Sequence, residues 1–171
     1  MFTGQWIQPN CWQEGRLDLV SDDARIFTYR VTNHLIGAVE VADDNHSLIF
    51  TPTWLGAWLI HDSEGLLVTT IFWLLKRRGS FTTAEGTTYE WHTTNFWGTE
   101  RAFNKVEDET VLRIQHVWKS WFLRANVTIT DGDIPERDAV MLAGLGIHML
   151  RLEMLVVIPA VLLLPIILII L

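Results

Sequence analysis

Short runs of alternating apolar and polar residues occupy most of the chain from Ala24 to Thr130. The clearest run is Trp121–Thr130, in which apolar residues take every odd-numbered position. Clusters of Asp, Asn, Gly and charged residues separate the runs at intervals of about ten residues, a spacing typical of an antiparallel meander closed into a barrel or sandwich. The predicted strands are Ala24–Thr32, Leu35–Val41, Ser47–Thr51, Thr53–Ile60, Leu66–Leu75, Ser80–Thr83, Thr87–Thr93, Trp97–Asn104, Thr110–Trp118 and Trp121–Thr130.

A different pattern follows the strands and predicts a helix over about residues 134–153. Asp133 and Glu136 have the spacing of a capping box, and Pro135 suits the first helical turn. From Ala139 to Leu150 the helix would be apolar around most of its circumference, with His148 as its only polar side chain. Such a helix has no face for water, so we expect the predicted strands to surround it.

Two glycines, Gly144 and Gly146, lie in the middle of this helix. Each makes a helix about 1 kcal/mol less stable than alanine would. Inside a barrel they also make the helix slimmer, so that strands can approach it closely.

The segment Met154–Leu171 contains no charged or hydrogen-bonding side chain. Eighteen helical residues would span roughly 27 Å, close to the ~30 Å hydrocarbon thickness of a bilayer. Pro159 and Pro165 would kink a soluble helix, but membrane helices tolerate proline. We therefore expect a membrane anchor here. The alternative is that the whole of Ala139–Leu171 forms a membrane hairpin or one long kinked membrane helix.

Strands followed by a capped helix that is apolar all round resemble the tubby C-terminal domain superfamily, which includes tubby-like proteins, LURP-one-related proteins and phospholipid scramblases. The segments that carry the resemblance are Gly79–Trp91, Ile60–Val68, Val111–Trp118 and Glu136–Glu153, and they look most like small fungal members. The resemblance implies a closed antiparallel barrel of about twelve strands around a central hydrophobic helix. The expected organisation is an N-terminal segment (1–23), the tubby-like barrel with its helix (24–153) and the hydrophobic tail (154–171).

Composition and charge exclude several classes of protein. The formal net charge of −7 argues against a general nucleic-acid binder, which needs a surplus of Lys and Arg. Cys11 is the only cysteine, so no intrachain disulfide can form. The first residues contain no basic segment followed by an apolar run, so we expect no secretory signal and a barrel on the cytosolic face of a membrane, held by the tail.

The sequence shows no constellation typical of an enzyme, a metal site or a cofactor site. It has no nucleophile elbow, phosphate-binding loop or dinucleotide fingerprint, and its histidines occur singly without metal-ligand spacing. Asp43–Asn45 and Asp131–Asp133 bring carboxylates together as a calcium site requires, but neither continues into a twelve-residue calcium loop. Turn formation and helix capping explain both. We therefore expect a non-enzymatic protein without a cofactor.

Lys76, Arg77 and Arg78 form the one dense basic cluster, directly after the most apolar predicted strand. Beside a membrane, each such charge attracts anionic headgroups with about 1 kcal/mol. The resemblance implies phosphoinositide binding through Lys and Arg on the barrel surface, and this cluster is the candidate lipid-binding site. The alternative is a solvent-exposed turn whose charges keep the apolar strand before it from aggregating. Residues that would extend the patch if they share its face are Arg101, Lys105, Lys119 and Arg124.

The leading hypothesis is a membrane-associated protein that binds phosphoinositides or other anionic lipids, or that moves phospholipids as scramblases do. Its partners would be membrane lipids and not nucleic acid, and no protein partner is indicated. One alternative is a soluble calycin-like barrel with an internal cavity for a small hydrophobic ligand. Another is a structural or defence protein that inserts into membranes through its apolar C-terminal region.

Overall fold

The computed structural model describes residues 2–8, 15–21, 24–33, 37–53, 57–72, 77–95, 99–105, 110–117, 124–130 and 134–152. Within these ranges the chain forms twelve β-strands and one helix, α1, over residues 136–152. The strands are β1 Phe2–Ile7, β2 Arg16–Ser21, β3 Ala24–Asn33, β4 Ala38–Ala42, β5 Ser47–Pro52, β6 Ala57–Asp62, β7 Leu67–Phe72, β8 Arg78–Thr82, β9 Thr88–Thr93, β10 Glu100–Lys105, β11 Thr110–His116 and β12 Ala125–Ile129.

All twelve strands belong to one antiparallel sheet in the order β7-β6-β5-β4-β3-β2-β1-β12-β11-β10-β9-β8. The sheet consists of two meanders, which are joined where β1 pairs with β12 over Phe2↔Ile129 to Trp6↔Ala125. The two edge strands, β7 and β8, lie side by side, and two hydrogen bonds link them among the residues that the structure describes. The Thr69 hydroxyl donates to the Thr82 carbonyl (2.9 Å), and the Ala84 N–H donates to the Val68 carbonyl (2.8 Å). The sheet is therefore a nearly closed barrel with a seam between β7 and β8.

Each of the ten predicted strands overlaps a strand of the structure, so the mainly β, antiparallel fold class is confirmed. The barrel nevertheless begins earlier than predicted, because β1 and β2 belong to the sheet and not to a separate N-terminal segment over 1–23. The alternation of β1 is weak in the sequence. Gly4 takes the position opposite Val127 that a strand pattern expects to be apolar and bulky, and a Cβ there would lie only 3.1 Å from Leu19 Cδ1. Close contact with the Phe2 and Leu19 side chains and the Val20 carbonyl thus favours glycine here, and the glycine interrupts the alternating pattern of β1.

Helix α1 runs through the barrel, and every residue from 140 to 150 is buried. A Cβ added at Gly144 would lie 2.6 Å from Val41 of β4, and one at Gly146 would lie 2.9 Å from Ile114 of β11. These strands belong to different meanders, so both meanders contact the same helix. The expectation that the two glycines permit close approach of the strands agrees with these distances.

The helix fills the interior together with a layer of inward-facing aromatic and branched side chains. Trp6, Trp58 and Trp91 all belong to this core, and the other six tryptophans of the sequence lie outside the described residues. Because α1 occupies the middle of the barrel, that space is not available to a ligand of the kind a calycin-like barrel encloses.

Within the described residues, no helix is long and apolar enough to cross a bilayer. The predicted anchor, Met154–Leu171, lies outside the described residues, as does Glu153 at the end of the predicted helix.

Candidate lipid-binding end of the barrel

Successive strands run in opposite directions, so their ends collect at two ends of the barrel, and α1 connects one end to the other. The helix starts beside the β6–β7 and β8–β9 turns, where Arg137 forms ion pairs with Asp62 (3.3 Å) and Glu85 (2.6 Å). It finishes on the opposite side, where the Arg151 guanidinium donates to the Tyr29 hydroxyl (3.3 Å).

The two ends carry opposite charge. The contrast lies in the terminal residues of the strands and the helix and in the described residues between these elements. At the end where α1 starts, hereafter the acidic end, six carboxylates face one lysine among these residues, and Arg137, the second residue of α1, forms ion pairs with two of the six. At the end where α1 finishes, the basic end, four arginines face one carboxylate among these residues, and one of the four, Arg16, forms an ion pair with Asp18 inside β2 (3.2 Å). The acidic end contains Asp43, Asp44, Asp62, Glu64, Glu85 and Glu136 with Lys105, and the basic end contains Arg16, Arg77, Arg78 and Arg124 with Glu100.

The predicted lipid-binding cluster lies at the basic end. Arg77 and Arg78 are exposed, and Arg78 is the first residue of the edge strand β8, where it pairs in register with His92. Lys76 lies outside the described residues. The Arg77 carbonyl accepts a hydrogen bond from the Thr93 N–H (2.7 Å), which ties the cluster to β9. Two guanidinium groups are thus presented on adjacent residues of a backbone held by the sheet.

A surface groove of about 1080 Å³ runs along β8 and β9 beside these arginines, lined by Arg77, Arg78, Ser80, Glu90 and His92. Its floor contains Trp91, whose indole packs under Gly79 so closely that a Cβ at Gly79 would lie 2.8 Å from the indole nitrogen. Guanidinium groups bind phosphate oxygens in a bidentate manner. The groove therefore has two guanidinium groups beside it at one end and a carboxylate, Glu90, further along β9.

Of the residues that would extend the patch, only Arg124 is shown to lie at the same end. Arg124 is exposed and precedes β12. Arg101 instead faces the barrel interior, is fully buried and places its guanidinium 5.3 Å from the centre of the Trp91 ring. Lys105 lies at the acidic end, and Lys119 lies outside the described residues. Sequence reasoning could not separate these residues, because the order of strands in the sheet decides their positions.

Inside the barrel, a polar network holds the last turns of α1. The His148 ring packs edge-on against Trp58 with centroids 4.2 Å apart, and its Nδ1 is 2.8 Å from the Tyr29 hydroxyl. Burial, together with the nearby Arg151 charge, lowers the pKa of His148 to about 3. Burial also raises the pKa of Tyr29. His148 and Tyr29 are therefore neutral at ordinary pH, and their contact holds the helix in place inside the barrel.

The other end of the helix is fixed in a similar way. The Tyr89 hydroxyl donates to the Asp138 carboxylate over 2.5 Å, and Asp138 is buried. Burial raises the pKa of Asp138, whereas the hydrogen bond from Tyr89 opposes that shift. Both ends of α1 thus carry a tyrosine contact that sets the depth of the helix in the barrel.

No protein-family model, curated protein or solved structure matches this chain. Its function is therefore inferred from the charges and geometry of the barrel itself.

Proposed function

We propose that this protein is a non-enzymatic, membrane-associated barrel of the tubby-like kind that binds anionic lipid surfaces with its basic end. The twelve antiparallel strands and the enclosed helix support the likeness to that superfamily. The observation that carries the function is the separation of charge between the two ends of the barrel.

The course of the chain favours the same orientation. Helix α1 reaches Leu152 at the basic end, and the apolar segment Met154–Leu171 follows two residues later. Two residues extend a chain by at most about 8 Å. Insertion of this segment into a bilayer would therefore bring the basic end, and not the acidic end, next to the headgroups.

The size of the barrel lets the two ends act separately. The seventeen residues of α1 span about 25 Å, whereas the Debye length at physiological ionic strength is about 8 Å. An anionic surface that contacts the basic end is therefore screened from the carboxylates at the acidic end. Each arginine near such a surface contributes about 1 kcal/mol of attraction, and the opposite orientation would bring six carboxylates against it.

Aromatic residues in the sequence support this orientation as well. The sequence segments that connect β1 to β2, β5 to β6, β7 to β8, β9 to β10 and β11 to β12 contain six tryptophans, and the described ends of these strands meet at the basic end. Tryptophan is enriched where proteins meet the membrane–water interface. The connections at the acidic end contain no tryptophan in their sequence.

The proposal is tested by the partition of the full-length protein between vesicles of phosphatidylcholine alone and vesicles that also contain phosphatidylserine. The apolar segment contributes to both, so the ratio of the two partition coefficients isolates the electrostatic part. Replacing Arg78 and Arg124 by glutamine should lower this ratio by up to about thirty-fold, since two charges contribute about 2 kcal/mol.

Lys105→Gln is the matched control, because it removes one positive charge at the acidic end. It should change the ratio less than twofold. An equal effect per charge at both ends, or an unmodified protein that shows no preference for anionic vesicles, would refute the proposed orientation. Phosphoinositide in place of phosphatidylserine tests whether headgroup identity matters beyond charge. Dye leakage from the vesicles, or exchange of labelled lipid between leaflets, would instead favour membrane insertion or scrambling.

A further inference from the structure

Three potential metal ligands from distant parts of the sequence meet at the acidic end. Asp43 and His46 belong to the β4–β5 turn, and Glu136 is the first residue of α1. One ligand atom from each lies within 4.8 Å of the other two. We propose that Asp43, His46 and Glu136 bind a divalent transition metal of the zinc type, which would tie the turn to the start of the central helix. This site is independent of lipid binding at the basic end.

The turn fixes two of the three ligands in advance. Asp43 Oδ1 accepts hydrogen bonds from the backbone N–H groups of Asn45 (2.7 Å) and His46 (2.5 Å), while the Asp43 N–H donates to the His46 carbonyl (2.9 Å). The second oxygen, Oδ2, lies 3.3 Å from His46 Nδ1. Two ligand atoms of a tetrahedral zinc ion, each about 2.0–2.2 Å from the metal, are about 3.3–3.5 Å apart. The Asp43–His46 pair therefore already has the separation that a shared ion requires.

Glu136 completes the set from the helix. The ion pairs of Arg137 and the Tyr89–Asp138 hydrogen bond fix the first turn of α1. The backbone of Glu136 is therefore held beside the β4–β5 turn. Its side chain is exposed and can make the shift of up to about 1.5 Å needed to reach the same ion. Water would take the remaining position, because the described residues bring three protein ligands together here.

The local charge also favours a cation. Among the described residues, no Arg or Lys forms an ion pair with Asp43 or Glu136, since Arg137 is directed to Asp62 and Glu85. An ion pair between His46 and Asp43 without a metal is the competing explanation for this contact. The donor set distinguishes the classes of ion: one imidazole with two carboxylates suits zinc and its neighbours, whereas magnesium and calcium take oxygen ligands.

The test is calorimetric titration of metal-free full-length protein with Zn²⁺, alongside Co²⁺ titration followed by visible absorption. We expect one ion per chain, a Co²⁺ spectrum of low coordination number, and retention of the ion in excess Mg²⁺. Glu136→Gln should weaken the affinity at least tenfold, since even residues outside the ligand set change metal affinity by about that factor. His46→Asn should also weaken the affinity at least tenfold. If one of the two variants fails to fold, the other still tests the proposal.

Glu64→Gln is the matched control, because it removes an exposed carboxylate at the same end outside the cluster. It should leave the affinity unchanged. The absence of a saturable Zn²⁺ site in the unmodified protein would overturn the proposal and favour a plain ion pair between Asp43 and His46. Binding that Glu136→Gln and His46→Asn leave unchanged would also overturn it, because the ion would then be bound elsewhere.

Discussion

The two ends of the barrel are built from the same hairpin chemistry but differ in charge and in their relation to the helix. At the acidic end, tight turns rich in Asp and Glu surround the start of α1, and Arg137 bridges two of them. At the basic end, arginines lie at the strand ends near the finish of α1, and the sequence is wholly apolar from Met154 onward. In an antiparallel meander, successive turns lie at opposite ends of the barrel. Turns that alternate between acidic and basic along the sequence therefore give the barrel one acidic end and one basic end.

Inside the barrel, the two ends of the helix also differ in their buried titratable groups. Near the acidic end, burial raises the pKa of Asp138, and near the basic end burial lowers the pKa of His148 to about 3. Both shifts favour the neutral form, as burial in an apolar sleeve requires. His148 is therefore neutral at ordinary pH, while Asp138 keeps a hydrogen bond from Tyr89 that opposes the effect of burial. The position of the helix decides at which end of the barrel the following segment leaves.

The largest expected effect is the loss of the fold when the middle of the helix is charged. Leu145 is 2% exposed, so Leu145→Asp buries a carboxylate without a partner. Such a burial costs several kcal/mol, comparable to the whole stability of a domain. Circular dichroism and urea unfolding should show an unfolded or severely destabilised protein, whereas Glu64→Gln at an exposed turn should be nearly silent. Equally small effects of both would mean that α1 does not connect the two ends through a core.

The second expected effect is a loss of stability in mild acid. The folded-state pKa of His148 is about 3, below the ordinary value of 6.5, so between these values the unfolded chain binds the extra proton. The free energy of unfolding should therefore fall by about 1.4 kcal/mol per pH unit as the pH drops below about 6.5. His116, whose pKa burial also lowers, acts in the same direction.

His148→Gln isolates this contribution, because glutamine keeps a hydrogen-bonding group for Tyr29 and does not titrate. Urea unfolding at several pH values should show a shallower slope for the variant than for the unmodified protein. Asp138→Asn should have the opposite effect, because the raised pKa of Asp138 makes stability fall as the pH rises above 3.8 through the folded-state value. If neither variant changes the slope of the unfolding free energy against pH, the proposed contrast between the two ends of the helix is contradicted.

The third expected effect is a loss of stability when the helix is crowded against the surrounding strands. In Gly144→Ala the new Cβ would lie 2.6 Å from Val41 Cγ2, and overpacking of this kind costs about 1–3 kcal/mol, more than the roughly 1 kcal/mol that alanine adds to helix stability. Adding Val41→Ala should recover part of the loss, which a double-mutant cycle measures. A stabilising Gly144→Ala would place the helix further from β4 than the structure does.

Much of the barrel was readable from the sequence because β-strand alternation and helix periodicity are local. The pattern of β12 and the apolar circumference of α1 both predict what the structure contains. Strand β1 was missed because a glycine takes an inward position, where Gly4 faces crowded neighbours. The tubby-like resemblance, the tail anchor and the cytosolic location stay predictions.

The candidate sites were less readable because they depend on which residues the sheet brings together. Arg101 and Lys105 are four residues apart on β10, yet one faces the interior and the other lies at the acidic end. The Asp43–His46 contact follows from a short turn, but nothing in the sequence places Glu136 beside it. Only the strand order and the direction of α1 create the two ends.

The central claim is that the basic end faces the membrane, and labelling each end tests it most directly. After Cys11→Ser, a single cysteine at Thr94 of the basic end or at Ser63 of the acidic end would carry a fluorophore, since both positions are exposed. The protein is then bound to anionic vesicles whose headgroups carry a nitroxide quencher. Strong quenching at position 94 and little at position 63 is the predicted result. Equal quenching at both positions, or stronger quenching at position 63, would contradict the account.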